Sequence, residues 1–382
     1  MVRLAWLLTA SHQYWHATLA HLAEKYPNLR VFVVNWPGYA HGYSDAFSVS
    51  IVGQRTLISP QLTSSGYRPP KLTLLPLGLI PKLWQWHPEL IFTNSFGMWT
   101  LLVLLLKPIR RWRVIIAYEG SAPNIDYRNS VWRLRLRRWM TALADACITN
   151  SQRGKTYLTH TLQVPTHKVF AHPYEVPDKI TLNAPCDRRP VFGQTRPRFL
   201  YVGQLIPRKG LDCLLEACQK LYQSYGNAFS LLILGQGHQQ NDLENRCQQT
   251  HLTDVVHWLG PVTYGHLGQY YTAADVLVFP TYEDTWGMVV LEAMLFAKPV
   301  ICSEGAGASE QVIGGKTGYH VPPNDSCQLS EKMARFIETP TLAATLGHQA
   351  QAHMQNYTPE QAAQFLSQVT QTVISPMVSA KP

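Results

Sequence analysis

Apolar runs of strand length alternate with amphipathic helical stretches along the whole chain, and this alternation constrains the fold more than any other feature. "LAWLLTA" leads to "WHATLAHLAEKY" and then to "RVFVVNW". Later come "RVIIAYE", a basic helical stretch from about Asn129 to Ala144, and "DACITN". The pattern lapses over a polar, proline-containing segment at 181–197 and restarts with "RFLYVGQL", "LDCLLEACQKLYQSYG", "SLLILGQG", "DVLVFPT", "WGMVVLEAMLFA" and "PVICS". Continuously apolar strands separated by helices belong to parallel sheets covered on both faces. Two such series predict an α/β chain of two doubly wound, Rossmann-like domains facing each other. Their expected bounds are 1–180 and 198–355, with 181–197 as linker. Residues 356–382 hold a last helix, "TPEQAAQFLSQVTQTVI", opened by a Thr-Pro cap and able to pack back on the first domain.

Totals narrow the class. The chain has 382 residues, 46% of them apolar, enough for two ordinary cores and too few for a polytopic membrane protein. Its seven cysteines are an odd number without a C-x-x-C pair, which reads as free thiols in a reducing compartment. The fifteen histidines show no metal-ligand spacing, so no metal is expected. "MVRLAWLLTA" reads as a first buried strand, and "MWTLLVLLLKPI" is too short to span a bilayer. Net charge is +9, but residues 1–190 hold 22 Lys+Arg against 9 Asp+Glu, while residues 191–382 hold 11 against 15. The first half is therefore basic and the second slightly acidic.

Parallel α/β sheets bind ligands at the carboxyl ends of their strands. Three loops of the second half have suitable residues there: "VGQLIPRKG", "LGQG" and "PTYEDTWG". Glycines let a backbone approach phosphate, a helix N-terminus offers free N–H groups, and Arg208 and Lys209 supply charge. Gly203 and Gly235 are candidates, though Gly235 and Gly237 also fit ordinary loop positions. In "YEDTWGMVVLEAM" the helix is expected to start near Trp286, with Gly287, Met288 and Val289 presenting N–H groups. Asp284 lies three residues before Gly287 and eight before Glu292. On spacing alone Asp284 serves either as a ligand-binding acid or as a helix cap, and Glu292 either as a second binding acid or as a solvated helix residue.

"GQLIPRKGLD", "LLILGQG", "VVHWLGPV" and the run from "YYTAADVLVFPTYEDTWGMVVLEAM" to "GYHVPPND" resemble the donor half of the family-four retaining glycosyltransferases. These have the GT-B fold and belong to the glycogen-phosphorylase-like superfamily. The resemblance covers roughly 198–325. In the first half it is confined to general layout and to "ADACITNSQRGKTYL". The family pattern is two glutamates with seven residues between them, the first standing three before a glycine. The resemblance therefore gives Asp284 the first-acid position, beside the transferred sugar, and Glu292 the second, on a ribose hydroxyl. Glu283 is an extra neighbour. Lys209 matches the family's phosphate lysine. Gln204 stands where the family has an arginine, and Arg208 is the substitute cation. The implied reaction is retaining transfer of a sugar from a nucleotide diphosphate, UDP most often, with no metal or cofactor. The leaving diphosphate takes the acceptor's proton.

The first domain is then the acceptor side. The family's glycine pair after the first strand is replaced by "TASHQYWH", so Ser11, His12, Tyr14 and His16 are acceptor-side candidates, each histidine also fitting a structural role. Glu119, at the end of "RVIIAYE", takes the place of a family histidine and is expected to orient the acceptor, the competing reading being a helix or loop cap. Arg110, Arg111, Arg113, Arg133, Arg135, Arg137 and Arg138 lie among Trp132, Leu136 and Trp139, with Lys107 nearby. They suggest docking on an anionic membrane, and no nucleic-acid motif accompanies them. The expectation is a cytoplasmic, peripherally membrane-associated glycosyltransferase acting on a lipid, lipid-linked glycan or polysaccharide. The alternatives are transfer to a soluble small molecule and a sugar-nucleotide-binding protein without catalysis.

Overall fold

The structure, a computed structural model, describes residues 2–10, 12–53, 56–58, 72–74, 78–186 and 195–375. Ser11 and linker residues 187–194 lie outside the described residues. The first domain contains strands β1 (Leu4–Ala10), β2 (Leu29–Asn35), β3 (Ser48–Ile51), a short antiparallel pair β4 (Thr56–Ile58) and β5 (Leu72–Leu74), then β6 (Leu90–Asn94), β7 (Arg113–Ala117), β8 (Ala146–Thr149) and β9 (Val169–Ala171). Seven of these form one parallel sheet in the order β3-β2-β1-β6-β7-β8-β9. The second domain contains β10 (Arg198–Val202), β11 (Ser230–Leu234), β12 (Val256–Gly260), β13 (Val276–Phe279), β14 (Val300–Ser303) and β15 (Gly318–Val321), parallel in the order β12-β11-β10-β13-β14-β15.

The central strands are buried on both faces, which is why they read as unbroken apolar runs; the edge strands β3 and β12 are partly exposed. β11 and β13 expose no residue at all. In each sheet the order reverses beside the first strand, β1 or β10, and a crevice opens at the carboxyl ends there. The two carboxyl edges meet. Trp286 of the second domain donates from Nε1 to Glu175 O in the first at 3.1 Å, and Tyr14 packs edge-on against Tyr264 at 6.5 Å between centroids. The helix Pro359–Ile374 packs against the helix Trp15–Lys25, with Tyr26 Oη 3.1 Å from Ser367 Oγ. The last helix of the chain is therefore built into the first domain's core, alongside Leu19 and Leu22.

The basic helix runs from Val131 to Leu143, and one of its arginines departs from the expected membrane-facing surface. Its buried residues are Arg137, Met140 and Thr141, while Trp132 is 64% exposed and Trp139 41%. Arg137 is not a surface charge. Its guanidinium donates to Ile125 O at 2.8 Å, Asp126 O at 3.1 Å and Tyr157 Oη at 2.8 Å, and lies over Phe96 and Tyr127. Carbonyls, a hydroxyl and ring faces replace its hydration, so burial is tolerated.

Candidate active site

Asp284 follows β13 on the loop Pro280–Gly287. The loop is fixed from behind by residues 305–308: Asp284 N donates to Gly305 O at 3.1 Å, Gly307 N to Asp284 O at 3.1 Å and Ala308 N to Trp286 O at 2.7 Å. At Gly307 an added Cβ would lie 2.1 Å from Thr285 O, so the close approach requires glycine. The Asp284 carboxylate takes a short hydrogen bond from Lys209 Nζ, and Arg208 Nη1 stands 3.8 Å away. Arg208 also donates to Glu283 O at 3.3 Å. Burial lowers the Lys209 ammonium from its ordinary range, opposed by Asp284. The pair exists because neither charge has water enough of its own.

Gly287 has φ +102° and ends the loop as the N-cap of the helix Met288–Leu295. No side chain caps that helix, so Asp284 is not its cap. Val290 N returns to Gly287 O at 3.0 Å, which leaves Met288 and Val289 at the open end. Glu292 is buried, not solvated: it is 2% exposed and accepts from Tyr271 Oη at 2.6 Å. Burial pushes its carboxyl up to about 7, against the hydrogen bond from Tyr271.

A cavity of 1190 Å³ lies beside these groups, lined among others by Gly203, Gln204, Arg208, Gly235, Gly237, Pro261, Val262 and Glu283. Gly203 and Gly235 meet backbone to backbone. A Cβ on Gly235, which has φ +141°, would sit 1.8 Å from Gly203 O. Gly203 N donates to Leu234 O and Gly235 N to Gly260 O, so both N–H groups are already used within the sheet edge. Their smallness, rather than their N–H groups, shapes the cavity.

The acceptor-side residues divide. Glu119 follows β7, and the next residue, Gly120, abuts the second domain so closely that a Cβ would lie 2.1 Å from Thr285 O. The loop carrying Glu119 therefore packs on the Asp284 loop. Burial, and then Asp284, raise the Glu119 carboxyl. Tyr14 joins this group: burial raises its hydroxyl, followed by Glu175, Glu119, Glu292 and Asp284 in that order. His12 stacks on Tyr14 at 5.3 Å. His16 belongs elsewhere. It is fully buried, its Nδ1 accepts from Ala40 N at 2.8 Å, and it stacks on Trp36; burial lowers it to about 4. A neutral core histidine, it corrects the expectation of an acceptor-side role.

Glu175 was not anticipated. It lies four residues after β9, 2% exposed, with Oε2 accepting from Asn150 Nδ2 at 3.0 Å and Oε1 without a hydrogen-bond partner. Burial and Glu119 raise it. Its only trace in the sequence is an acid between apolar residues and prolines, "PYEVP", just past a strand. Among the described residues no group of three or more His, Cys, Asp or Glu is placed to hold a metal ion.

Comparison with known proteins gives the family and the fold. The family described as Glycosyltransferase Family 4 matches residues 12–173, and that described as Glycosyl transferases group 1 matches residues 187–353. The chain belongs to the family-four glycosyltransferases. Its fold is GT-B. Anabaena HepE, solved with UDP and glucose, superposes with a TM-score of 0.74 over 97% of this chain and 100% of its own, at 17% identity. Sucrose-phosphate synthase from Thermosynechococcus elongatus gives 0.75 over 98% and 99%, at 20% identity. Identities this low speak for the fold alone. Among curated glycosyltransferases, the capsular polysaccharide enzyme CapM of Staphylococcus aureus is 28% identical over 161 residues, 41% of this chain and 40% of CapM. A D-inositol 3-phosphate glycosyltransferase of Streptomyces scabiei is 29% identical over 166 residues, 41% of this chain and 37% of that protein. The matches thus span about two-fifths of these relatives' length.

Proposed function

We propose that this family-four glycosyltransferase moves a sugar from a UDP-sugar to a lipid, lipid-linked glycan or polysaccharide acceptor, with retention at the anomeric carbon. The observation that carries the reading is the Lys209–Asp284 pair at the open end of the Met288–Leu295 helix, with Glu292 one turn further in. The diphosphate competes with Asp284 for Lys209 and Arg208 and takes the free N–H groups of Met288 and Val289. That exchange releases Asp284 toward the sugar. Glu292, held by Tyr271, accepts from a ribose hydroxyl. As the bond to the sugar breaks, charge grows on the diphosphate, where Lys209 and the helix end stabilise it. The diphosphate oxygen takes the acceptor's proton on the same face, which needs neither a protein nucleophile nor a metal. UDP bound to the Anabaena protein supports the choice of nucleotide.

The acceptor reading rests on the surface of the first domain. Leu105, Ile109, Val131, Trp132 and Trp139 are exposed beside Arg110, Arg111, Arg113, Arg133, Arg135 and Arg138. Exposed tryptophans among arginines suit an anionic membrane surface, and a peripheral cytoplasmic enzyme follows. No helix among the described residues is long and apolar enough to cross a membrane.

The test is calorimetry with UDP, GDP and ADP on the parent and on Glu292→Ala. UDP binding that weakens at least tenfold in the variant, about the worth of one charged hydrogen bond, is expected. Unchanged affinity in a folded variant overturns the site.

A further inference from the structure

Glu283 stands next to the sugar-side acid and has no part in the reaction above, yet its carboxylate is fully engaged. Oε1 accepts from Asn124 Nδ2 at 2.6 Å and Oε2 from Asn124 N at 3.2 Å. Asn124 belongs to the first domain, in the short helix Pro123–Asp126 just past Glu119. Glu283 belongs to the second. Both line the 1190 Å³ cavity.

Each end is held by its own domain. The loop of Asn124 is anchored by Asp126, whose buried carboxylate accepts from Tyr118 Oη at 2.5 Å, Ser121 Oγ at 2.6 Å and Arg128 Nε at 2.9 Å. Arg137 pins the same turn through the Ile125 and Asp126 carbonyls. On the other side, Glu283 O accepts from Thr281 Oγ1 at 2.9 Å and from Arg208. Each loop is thus tied to its own domain by hydrogen bonds. The loops meet at two points, Gly120 on Thr285 and Asn124 on Glu283.

We propose that Glu283 and Asn124 form a clasp across the mouth of the donor cavity. While donor is bound it holds the loop carrying Glu119 in register with the loop carrying Asp284. It parts for a nucleotide diphosphate to enter or leave. The proposal rests on the donor reading. An acid that merely kept the surface soluble would not take two donors from one residue of the opposite domain. A carboxylate does so because each bond to it is charge-assisted, and opening returns the charge to water at small cost. This makes the clasp reversible.

The test uses the full chain with UDP as probe. Asn124→Asp sets a second carboxylate against Glu283. Glu283→Gln in the same chain gives that carboxylate an amide donor while still accepting from the residue 124 N–H. Stopped-flow release of UDP and small-angle scattering are read on the parent, Asn124→Asp, and the double variant, with melting temperatures as the folding control. Release about tenfold faster and a larger radius of gyration in Asn124→Asp, both returning to within about twofold of the parent in the double variant, are expected. Parental release and parental radius in Asn124→Asp overturn the clasp. So does failure of Glu283→Gln to restore a variant that melts like the parent. A parent that binds no UDP overturns the donor reading instead, and the scattering comparison then decides the clasp by itself.

Discussion

Lys209 and Asp284 are each buried at the other's expense: at 11% and 14% side-chain exposure, neither is hydrated well enough to stand alone. Removing the lysine should do more to turnover than to affinity, because the charge it meets grows as the diphosphate departs. Lys209→Ala is expected to lower kcat about 100-fold, a typical cost for losing one stabilising group, while weakening UDP binding far less. Equal losses in rapid-quench turnover and in calorimetry would refute that division. Glu292 gives a second prediction. The folded chain holds its proton up to about pH 7, whereas the free carboxyl loses it near 4.5. Its contribution to stability is therefore full below pH 4.5 and is lost as pH rises through about 7. The interval corresponds to about 3 kcal/mol. Glu292→Gln should melt with a shallower decline between pH 5 and 8 than the parent; parallel curves would contradict the assignment. The Asp284–Glu292 register came from the family resemblance; spacing alone left open a helix cap and a solvated residue, neither of which the structure shows. Glu175 was illegible because nothing local marks it. Its environment comes from Asn150 on one strand end and Trp286 on the other domain.

At the scale of elements, the central strands were legible, whereas edge strands such as β3 and one helix face were not. Continuous apolar runs have a single solution, burial on both sides of a parallel sheet. The helix Val131–Leu143 had two. The sequence reads Arg133, Arg135, Arg137 and Arg138 together with Trp132 and Trp139 as one membrane-facing basic surface, but the structure buries Arg137 with Met140 and Thr141. The deciding partners, two carbonyls near Asp126 and the Tyr157 hydroxyl, come from elsewhere in the chain and leave no periodic trace. The result is a helix that shows water both tryptophans together with Arg135 and Arg138. Replacing Arg111, Arg135 and Arg138 by glutamine should reduce co-sedimentation with vesicles containing phosphatidylglycerol, on the order of 1 kcal/mol for each charge at the surface. Adding salt should weaken the parent in the same direction, since the screening length is about 10 Å at 0.1 M. Trp132→Gln and Trp139→Gln should weaken it without changing the salt dependence. Arg137→Gln should instead lower the melting temperature. If the three surface arginines matter no more than Arg137 for vesicle binding, this face is not the docking surface.

At the scale of the molecule, the two domains are joined by more than the linker. Glu310 accepts from Gln152 N at 2.7 Å and Arg153 N at 2.9 Å, capping a helix that begins in the other domain. The chain's last helix, Pro359–Ile374, completes the first domain although it follows the second in sequence. Ala362, Ala363, Leu366 and Val369 are buried in the same cluster as Leu19 and Leu22 of the helix Trp15–Lys25. Burying Leu366 and Val369 contributes about 1.5–3 kcal/mol each. A chain ending after Tyr357 should therefore lose on the order of 5 kcal/mol, and the loss should fall on the first domain, whose core is opened. Calorimetry of the parent should show the domains melting close together, while in the shortened chain the first domain should melt well below the second. UDP, if it binds at the proposed second-domain site, should then raise the upper transition and leave the lower one in place. A shortened chain that melts as the parent does, in one transition, would mean that the helix lies on the first domain without supporting it.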